Sequence, residues 1–102
     1  MRDERLTKDQ AKTALNSCLE FGTVNYTKHF REELTSDDLS MEDVLRVCKS
    51  GAIVMWPEQD IKTGDWKYRI EGPTVDGRQI AIVFCLPRPE VAVFITVFER
   101  TS

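Results

Sequence analysis

The sequence has few of the residues that build metal centres and disulfide frameworks. Its 102 residues include three cysteines and one histidine. Cys18, Cys48 and Cys85 are an odd number with no Cys-x-x-Cys pair, and one histidine cannot complete a familiar zinc pattern. We therefore expect three reduced, buried thiols, and neither a metal nor a cofactor.

Long apolar runs are also missing. No run approaches the ~20 residues that a membrane-spanning helix needs. The N-terminal segment MRDERLTKDQ has no apolar stretch after its charges, which a signal peptide would require. A chain of this length fits one domain. We expect a single cytoplasmic domain over residues 1–102, with residues 1–6 disordered and no membrane contact.

Basic residues are fewer than acidic residues, and the two are unevenly distributed along the chain. The net charge of −3 argues against a general nucleic-acid binder, so DNA is not an expected partner. The stretch from Glu32 to Asp43 has six acidic residues and no Lys or Arg. The chain from Lys62 onward has six basic and five acidic residues. Any anionic ligand should therefore meet the second half of the chain.

The first half of the chain predicts three helices. Thr7 with Gln10 and Ser40 with Asp43 have the spacing of capping boxes, and Gly22 and Gly51 suit helix ends. Apolar residues recur between these signals with helical spacing. We predict helices over residues 8–21, 28–36 and 41–50, and a short edge strand at 23–26.

The second half predicts an antiparallel meander. Runs rich in Val, Ile, Phe and Tyr are separated by a Gly-Pro-Thr-Val-Asp-Gly segment and by a Pro-Arg-Pro-Glu segment. We predict strands over 52–56, 66–71, 78–86 and 91–99, and a polar loop over 58–64. The run Ile80–Leu86 should be central and covered on both faces. Predicted core residues are Ile82, Val83, Phe84, Ile95 and Val97. The fold class is α+β, with N-terminal helices packed on a mainly antiparallel sheet of four to five strands.

Several short motifs, taken in order, resemble a family of small prokaryotic proteins known as domain-of-unknown-function family 4258. They are Tyr26-Thr27-Lys28-His29, Leu39-Ser40-x-Glu42-Asp43-Val44, Tyr68-Arg69-Ile70-x-Gly72, Asp76-Gly77-Arg78 and Ile95-Thr96-Val97-x-Glu99. That family is similar in fold to the RelE/ParE-type toxins, including BrnT- and MqsR-like ribonucleases. The resemblance implies a RelE-like fold and a type II toxin-antitoxin module whose toxin cleaves mRNA, with an antitoxin and RNA as partners.

The positions that the resemblance carries over are His29, Arg69, Gly72, Gly77, Arg78 and Thr96. The family usually has arginines one and two turns after the histidine, where this chain has Glu33 and Asp37. If those arginines bind RNA phosphate in relatives, this chain has the opposite charge at both positions.

The residues themselves allow two interpretations. His29 has carboxylates three and four residues on, so it is either a general base or a surface histidine held by Glu33. Strand alternation places Lys67 and Arg69 together, either on phosphate or in ordinary surface ion pairs. One hypothesis is a metal-independent RNA endonuclease with His29, Arg69 and Arg78 as catalytic residues and Lys67 and Thr96 as substrate contacts. The alternative is a non-catalytic, degenerate toxin-fold interaction domain.

Overall fold

The computed structural model describes residues 5–54 and 57–100, and within them three helices precede most of a six-stranded sheet. The helices are α1 (Lys8–Phe21), α2 (Lys28–Ser36) and α3 (Met41–Ser50). The strands are β1 (Thr23–Tyr26), β2 (Ala52–Ile53), β3 (Glu58–Gln59), β4 (Trp66–Pro73), β5 (Gln79–Arg88) and β6 (Val91–Glu99). The α+β class and the predicted helix bounds are confirmed, whereas the strand number is six rather than four to five.

Local capping explains why the helix bounds could be predicted. The Thr7 and Ser40 side chains each accept a hydrogen bond from the backbone N–H three residues on, and both helices have a complete capping box. Thr27 caps α2 through the N–H of Phe30, at 3.0 Å. Each of these bonds satisfies an orphan donor in the first turn, so each helix start is fixed by its own sequence.

The sheet has the order β1-β6-β5-β4-β2, with β3 pairing with β4 beside β2. All pairs are antiparallel except β1 with β6, which run parallel. Four boundaries differ from the prediction. β4 extends to Pro73 rather than to residue 71, and β5 covers Gln79–Arg88 rather than 78–86, so that it includes two residues of the predicted Pro-Arg-Pro-Glu separator. β2 covers only Ala52–Ile53, and of the predicted strand 52–56 the last two residues lie outside the described residues. The predicted loop 58–64 begins with β3, which lies along the first residues of β4.

The core lies between the three helices and one face of the sheet. Tyr68 and Ile70 from β4, Phe84 from β5 and Phe94 from β6 are fully buried there against side chains of all three helices. We call this side the helical face and the other side the outer face. No helix in the described ranges covers the outer face. The run Ile80–Leu86 is central, as predicted, and six of its seven residues are buried, including Ala81 and Cys85 on the outer face. Val83 is the exception, since it is only half-buried.

Two of the five predicted core residues are consequently wrong. Ile82, Phe84 and Val97 are buried, but Val83 and Ile95 are only half-buried. Successive side chains of a strand point to opposite faces, so Val83 lies on the outer face between two core residues. Ile95 is the extra residue of a β-bulge, because Phe94 pairs with Phe84 while Thr96 pairs with Val83.

Helix α2 lies along the edge of the sheet where β1 ends. The Thr27 N–H donates to the Phe94 carbonyl at 3.0 Å, and the Thr27 hydroxyl donates to the Ile95 carbonyl at 2.7 Å. Beyond the end of β1, residues at the start of α2 therefore provide the hydrogen-bond donors for the backbone carbonyls of β6. This placement decides where the side chains of α2 can act.

The N-terminal segment is anchored from Leu6 onward. The Leu6 N–H donates to the Tyr68 hydroxyl at 2.9 Å, and the Leu6 side chain packs against the core. Leu6 is therefore ordered, although it falls in the segment 1–6 that was predicted to be disordered. Residues 1–4 of that segment lie outside the described residues. Among the helices that the structure describes, none is long and apolar enough to cross a membrane.

Candidate functional site

His29 lies on the first turn of α2 and is accessible. Its side chain is 65% exposed, and its Nε2 atom lies 3.2 Å from Oε1 of Glu33, one helical turn later. A histidine that donates from Nε2 presents its other ring nitrogen, Nδ1, as the proton acceptor in the neutral form. A carboxylate in this position can orient the ring, as a third group orients the base in an activated nucleophile.

Glu33 joins this histidine to the sheet. The same Oε1 atom accepts hydrogen bonds from the Thr96 hydroxyl and, at 3.2 Å, from the Val97 backbone N–H. Glu33 therefore satisfies a backbone donor of β6 that lies beyond Phe94, the last β6 residue that pairs with β1 in the described part of the chain. We call His29, Glu33 and Thr96 the edge cluster.

Arg69 lies on the outer face, two strands away from the edge cluster. Arg69 pairs with Val83, and Val83 in turn pairs with Thr96. With a strand spacing of about 4.8 Å, the Cα atoms of Arg69 and Thr96 are about 10 Å apart across the sheet. Arg69 and the edge cluster are thus parts of one continuous surface.

The Arg69 guanidinium is held in place by two neighbours. Its Nε atom lies 2.6 Å from Oε2 of Glu71, and its Cζ atom lies 5.0 Å from the centre of the Phe98 ring. The predicted common face of Lys67, Arg69 and Glu71 is confirmed by the burial of Tyr68 and Ile70 on the other side. Lys67 pairs with Cys85 at the far end of this row, where Asp60 and Asp65 are nearby charges.

Arg78 lies on the helical side of the sheet, away from Arg69. Its Nη1 and Nη2 atoms donate to the carbonyls of Asp37 and Asp38 at 3.0 and 2.9 Å, at the end of α2. Its Nε atom lies 3.3 Å from Oδ1 of Asp76. Hydrogen bonding and charge from Asp76 raise the pKa of the Arg78 guanidinium further.

The structure therefore does not bring the three predicted catalytic residues to one phosphate. Arg78 precedes Val83, the partner of Arg69, by five residues, which is about 16 Å along a strand. His29 and the Arg78 contact at Asp37 lie at opposite ends of α2, about 12 Å apart along the helix axis. The structure does bring His29, Glu33 and Thr96 together, with Arg69 about 10 Å away across the sheet.

Two of the cysteines, Cys48 and Cys85, have unreactive thiols. Burial raises the pKa of the Cys48 thiol to about 12. Burial, together with the negative charges of Asp65 and Asp60, raises the pKa of the Cys85 thiol to about 11. Neither thiol is an activated nucleophile at neutral pH. Among the described residues, no group of three or more His, Cys, Asp or Glu side chains has the arrangement of a metal site.

Two residues of this surface were not predicted to act. The contacts of Glu33 with Thr96 and Val97 could not be predicted, because these residues lie 63 and 64 positions further along the chain. Arg100 had no predicted role, yet its Nη1 atom lies 2.7 Å from Oε1 of Glu71 on the outer face. The alternating pattern of β6 places Arg100 on the same face as Phe98 and was the available signal.

The fold and the edge cluster define an α+β protein with an open, mostly antiparallel sheet and a histidine–carboxylate pair at the sheet edge. Residues 26–99, well over half of the chain, match the family described as Domain of unknown function (DUF4258), and the chain belongs to that family. No curated protein matches the chain. No solved structure matches it either.

Proposed function

We propose that this protein is a toxin-type RNA endonuclease with a RelE-like fold, which works in the cytoplasm without a metal ion as part of a type II toxin-antitoxin module. The observation that carries the proposal is the exposed His29–Glu33 pair at the rim of the outer face. A base oriented by a third group is the usual arrangement for activating a hydroxyl nucleophile. RNA supplies such a hydroxyl at every nucleotide.

The reaction assigned to the edge cluster is an intramolecular transesterification at an RNA phosphate. The 2′-hydroxyl attacks the adjacent phosphorus while Nδ1 of His29 takes its proton, and the bond from phosphorus to the 5′-oxygen breaks. The products are a 2′,3′-cyclic phosphate and a 5′-hydroxyl, which takes its proton from water. Glu33 orients the His29 ring, and Arg69, about 10 Å away on the outer face, contributes positive charge that holds the RNA strand beside the edge cluster.

A cleavage assay in EDTA tests this proposal. Wild-type protein should cut an RNA oligonucleotide to cyclic-phosphate ends and should spare the same oligonucleotide with 2′-deoxy sugars. The His29→Ala variant should be slower by ~10²–10⁴-fold, the usual contribution of a general acid–base group. Lys28→Ala is the matched control, since Lys28 is the neighbouring residue and its side chain is 89% exposed.

The opposite outcomes are equally clear. Equal cleavage by wild-type protein and His29→Ala would remove the histidine from the mechanism. No cleavage of any sequence in a mixed RNA pool would remove the enzymatic function altogether.

A non-catalytic interaction domain is the second candidate, and one observation favours it. Arg69 and Arg78 lie on opposite sides of the sheet, and Arg78 is committed to the end of α2. The half-buried Val83 and Phe98 on the outer face are available to an antitoxin instead. Absence of cleavage, combined with a stable one-to-one complex with the product of an adjacent reading frame, would establish this candidate.

A further inference from the structure

Glu71 holds two arginines together on the outer face. Its Oε2 atom lies 2.6 Å from Nε of Arg69, and its Oε1 atom lies 2.7 Å from Nη1 of Arg100. The Glu71 side chain is 10% exposed, whereas that of Arg100 is 48% exposed. One largely buried carboxylate is thus shared by two guanidinium groups, and the three residues together carry a net charge of +1. We call Arg69, Glu71 and Arg100 the outer triad.

The remaining neighbours of the triad keep its geometry fixed. Phe98 pairs with Ala81, and Ala81 pairs with Glu71, so the Phe98 ring lies across the sheet from the carboxylate. That ring also lies against the Arg69 guanidinium. The Arg100 backbone N–H donates to the Gln79 carbonyl at 2.7 Å, which continues the ladder beyond β6. The arginines are therefore positioned before any ligand arrives, which lowers the entropy lost on binding.

We propose that the outer triad binds a phosphodiester group of RNA and that Arg100, rather than the predicted catalytic residue Arg78, supplies the second guanidinium beside Arg69. This inference rests on the proposed function and names the phosphate-binding residues of its site. A guanidinium can donate two parallel hydrogen bonds to a phosphate. The outer triad also has one more positive charge than its carboxylate neutralises, and a bound anion can neutralise that charge. Arg78 is unsuited because its donors are already directed to Asp37, Asp38 and Asp76.

The position of the triad suits a strand of RNA that ends at the edge cluster. Arg69, Val83 and Thr96 form one row across three strands. Thr96 donates to Glu33, which holds His29. A phosphate on the triad would therefore lie about 10 Å from the hydroxyl chemistry at the edge, a distance that a short single-stranded segment spans. Between the two, the surface is the half-buried side chain of Val83.

Binding of an uncleavable RNA tests this inference separately from cleavage. The probe is a fluorescent oligoribonucleotide with 2′-O-methyl groups at every position, measured by anisotropy over a range of salt concentrations. Arg100→Ala should raise Kd about tenfold, as expected for a lost hydrogen bond to a charged group. It should also reduce the slope of log K against log salt by about 0.7, the value for one phosphate contact on a single strand.

Arg88→Ala is the matched control because it removes the same charge from an exposed site at the far end of β5. Arg88 lies seven residues beyond Ala81, about 23 Å along the strand, so its removal should change Kd far less. Arg100→Lys keeps the charge and should keep the salt slope while losing part of the affinity. Thermal melting of each variant checks that the fold is retained.

Equal effects of Arg100→Ala and Arg88→Ala on Kd and on the salt slope would overturn the inference. Failure of the wild-type protein to bind the probe would overturn it as well. The proposed function is judged by the EDTA cleavage assay, so an active enzyme with an unimportant Arg100 would reject only the outer triad.

Discussion

Truncation of Glu33 measures how firmly the edge cluster is built into the fold. In Glu33→Ala, three contacts to one carboxylate oxygen are lost: those of the Thr96 hydroxyl, the Val97 N–H and His29 Nε2. The Val97 donor at the sheet edge would lose its protein partner. Leaving a buried donor unsatisfied costs about 1–3 kcal/mol, and this site is partly open to water because the Glu33 side chain is 29% exposed.

We therefore expect Glu33→Ala to lower the free energy of unfolding by about 2 kcal/mol, a large share of the 5–15 kcal/mol typical of a small domain. Glu33→Gln should cost less, because the amide oxygen can still accept from Val97 and Thr96. Urea unfolding monitored by circular dichroism gives the value, provided that the m-value of the variant is unchanged.

Glu32→Ala is the control for this prediction. Glu32 is the preceding residue, its side chain is 63% exposed, and its one ion pair, with Lys28, is long at 3.9 Å. A surface pair of this kind contributes about 0–1 kcal/mol. If Glu33→Ala and Glu32→Ala were equally stable, the hydrogen bonds of Glu33 would contribute nothing, and its carboxylate would be an ordinary surface group.

Two further predictions concern the core and the acid range. Phe84→Ala should cost about 3–5 kcal/mol, because Phe84 is fully buried and stacks on Tyr68 at 5.6 Å between ring centres. Val83→Ala, one residue away but half-buried on the outer face, should cost much less in the same urea experiment, and similar costs would contradict the assignment of the two faces. Burial opposes ionisation of Asp43, but hydrogen bonds from the Ser40 and Val75 backbone N–H groups outweigh it and lower the pKa of its carboxyl below the ordinary 3.8. A lowered folded pKa means that the unfolded chain binds the proton more tightly, so this part of the stability is present above pH 3.8 and is lost as the pH falls through the folded pKa. Asp43→Asn should therefore flatten the dependence of unfolding free energy on pH below about 4, and an unchanged slope would show that Asp43 is not a source of acid sensitivity.

The sequence by itself determined the three helices, β1 and the three long strands of this fold, but not β3 or the end of β2. Capping residues act within three or four positions, so Thr7, Thr27 and Ser40 fixed the helix starts without help from distant parts of the chain. The alternation in β4 likewise placed Lys67 and Arg69 on one face. These signals are local, and the structure confirms them residue by residue.

Only the tertiary structure decided which of these faces and ends meet. The parallel pairing of β1 with β6, and the placement of α2 along the edge of β6, join residues more than 60 positions apart. No pattern in the sequence records such a contact, because it depends on how the two layers are assembled. The same assembly separates Arg78 from Arg69 by the thickness of the sheet and brings Arg100 beside Glu71 instead. Which residues can form a site together therefore depends on the face of the sheet to which each side chain points. The order of residues along the chain does not specify this.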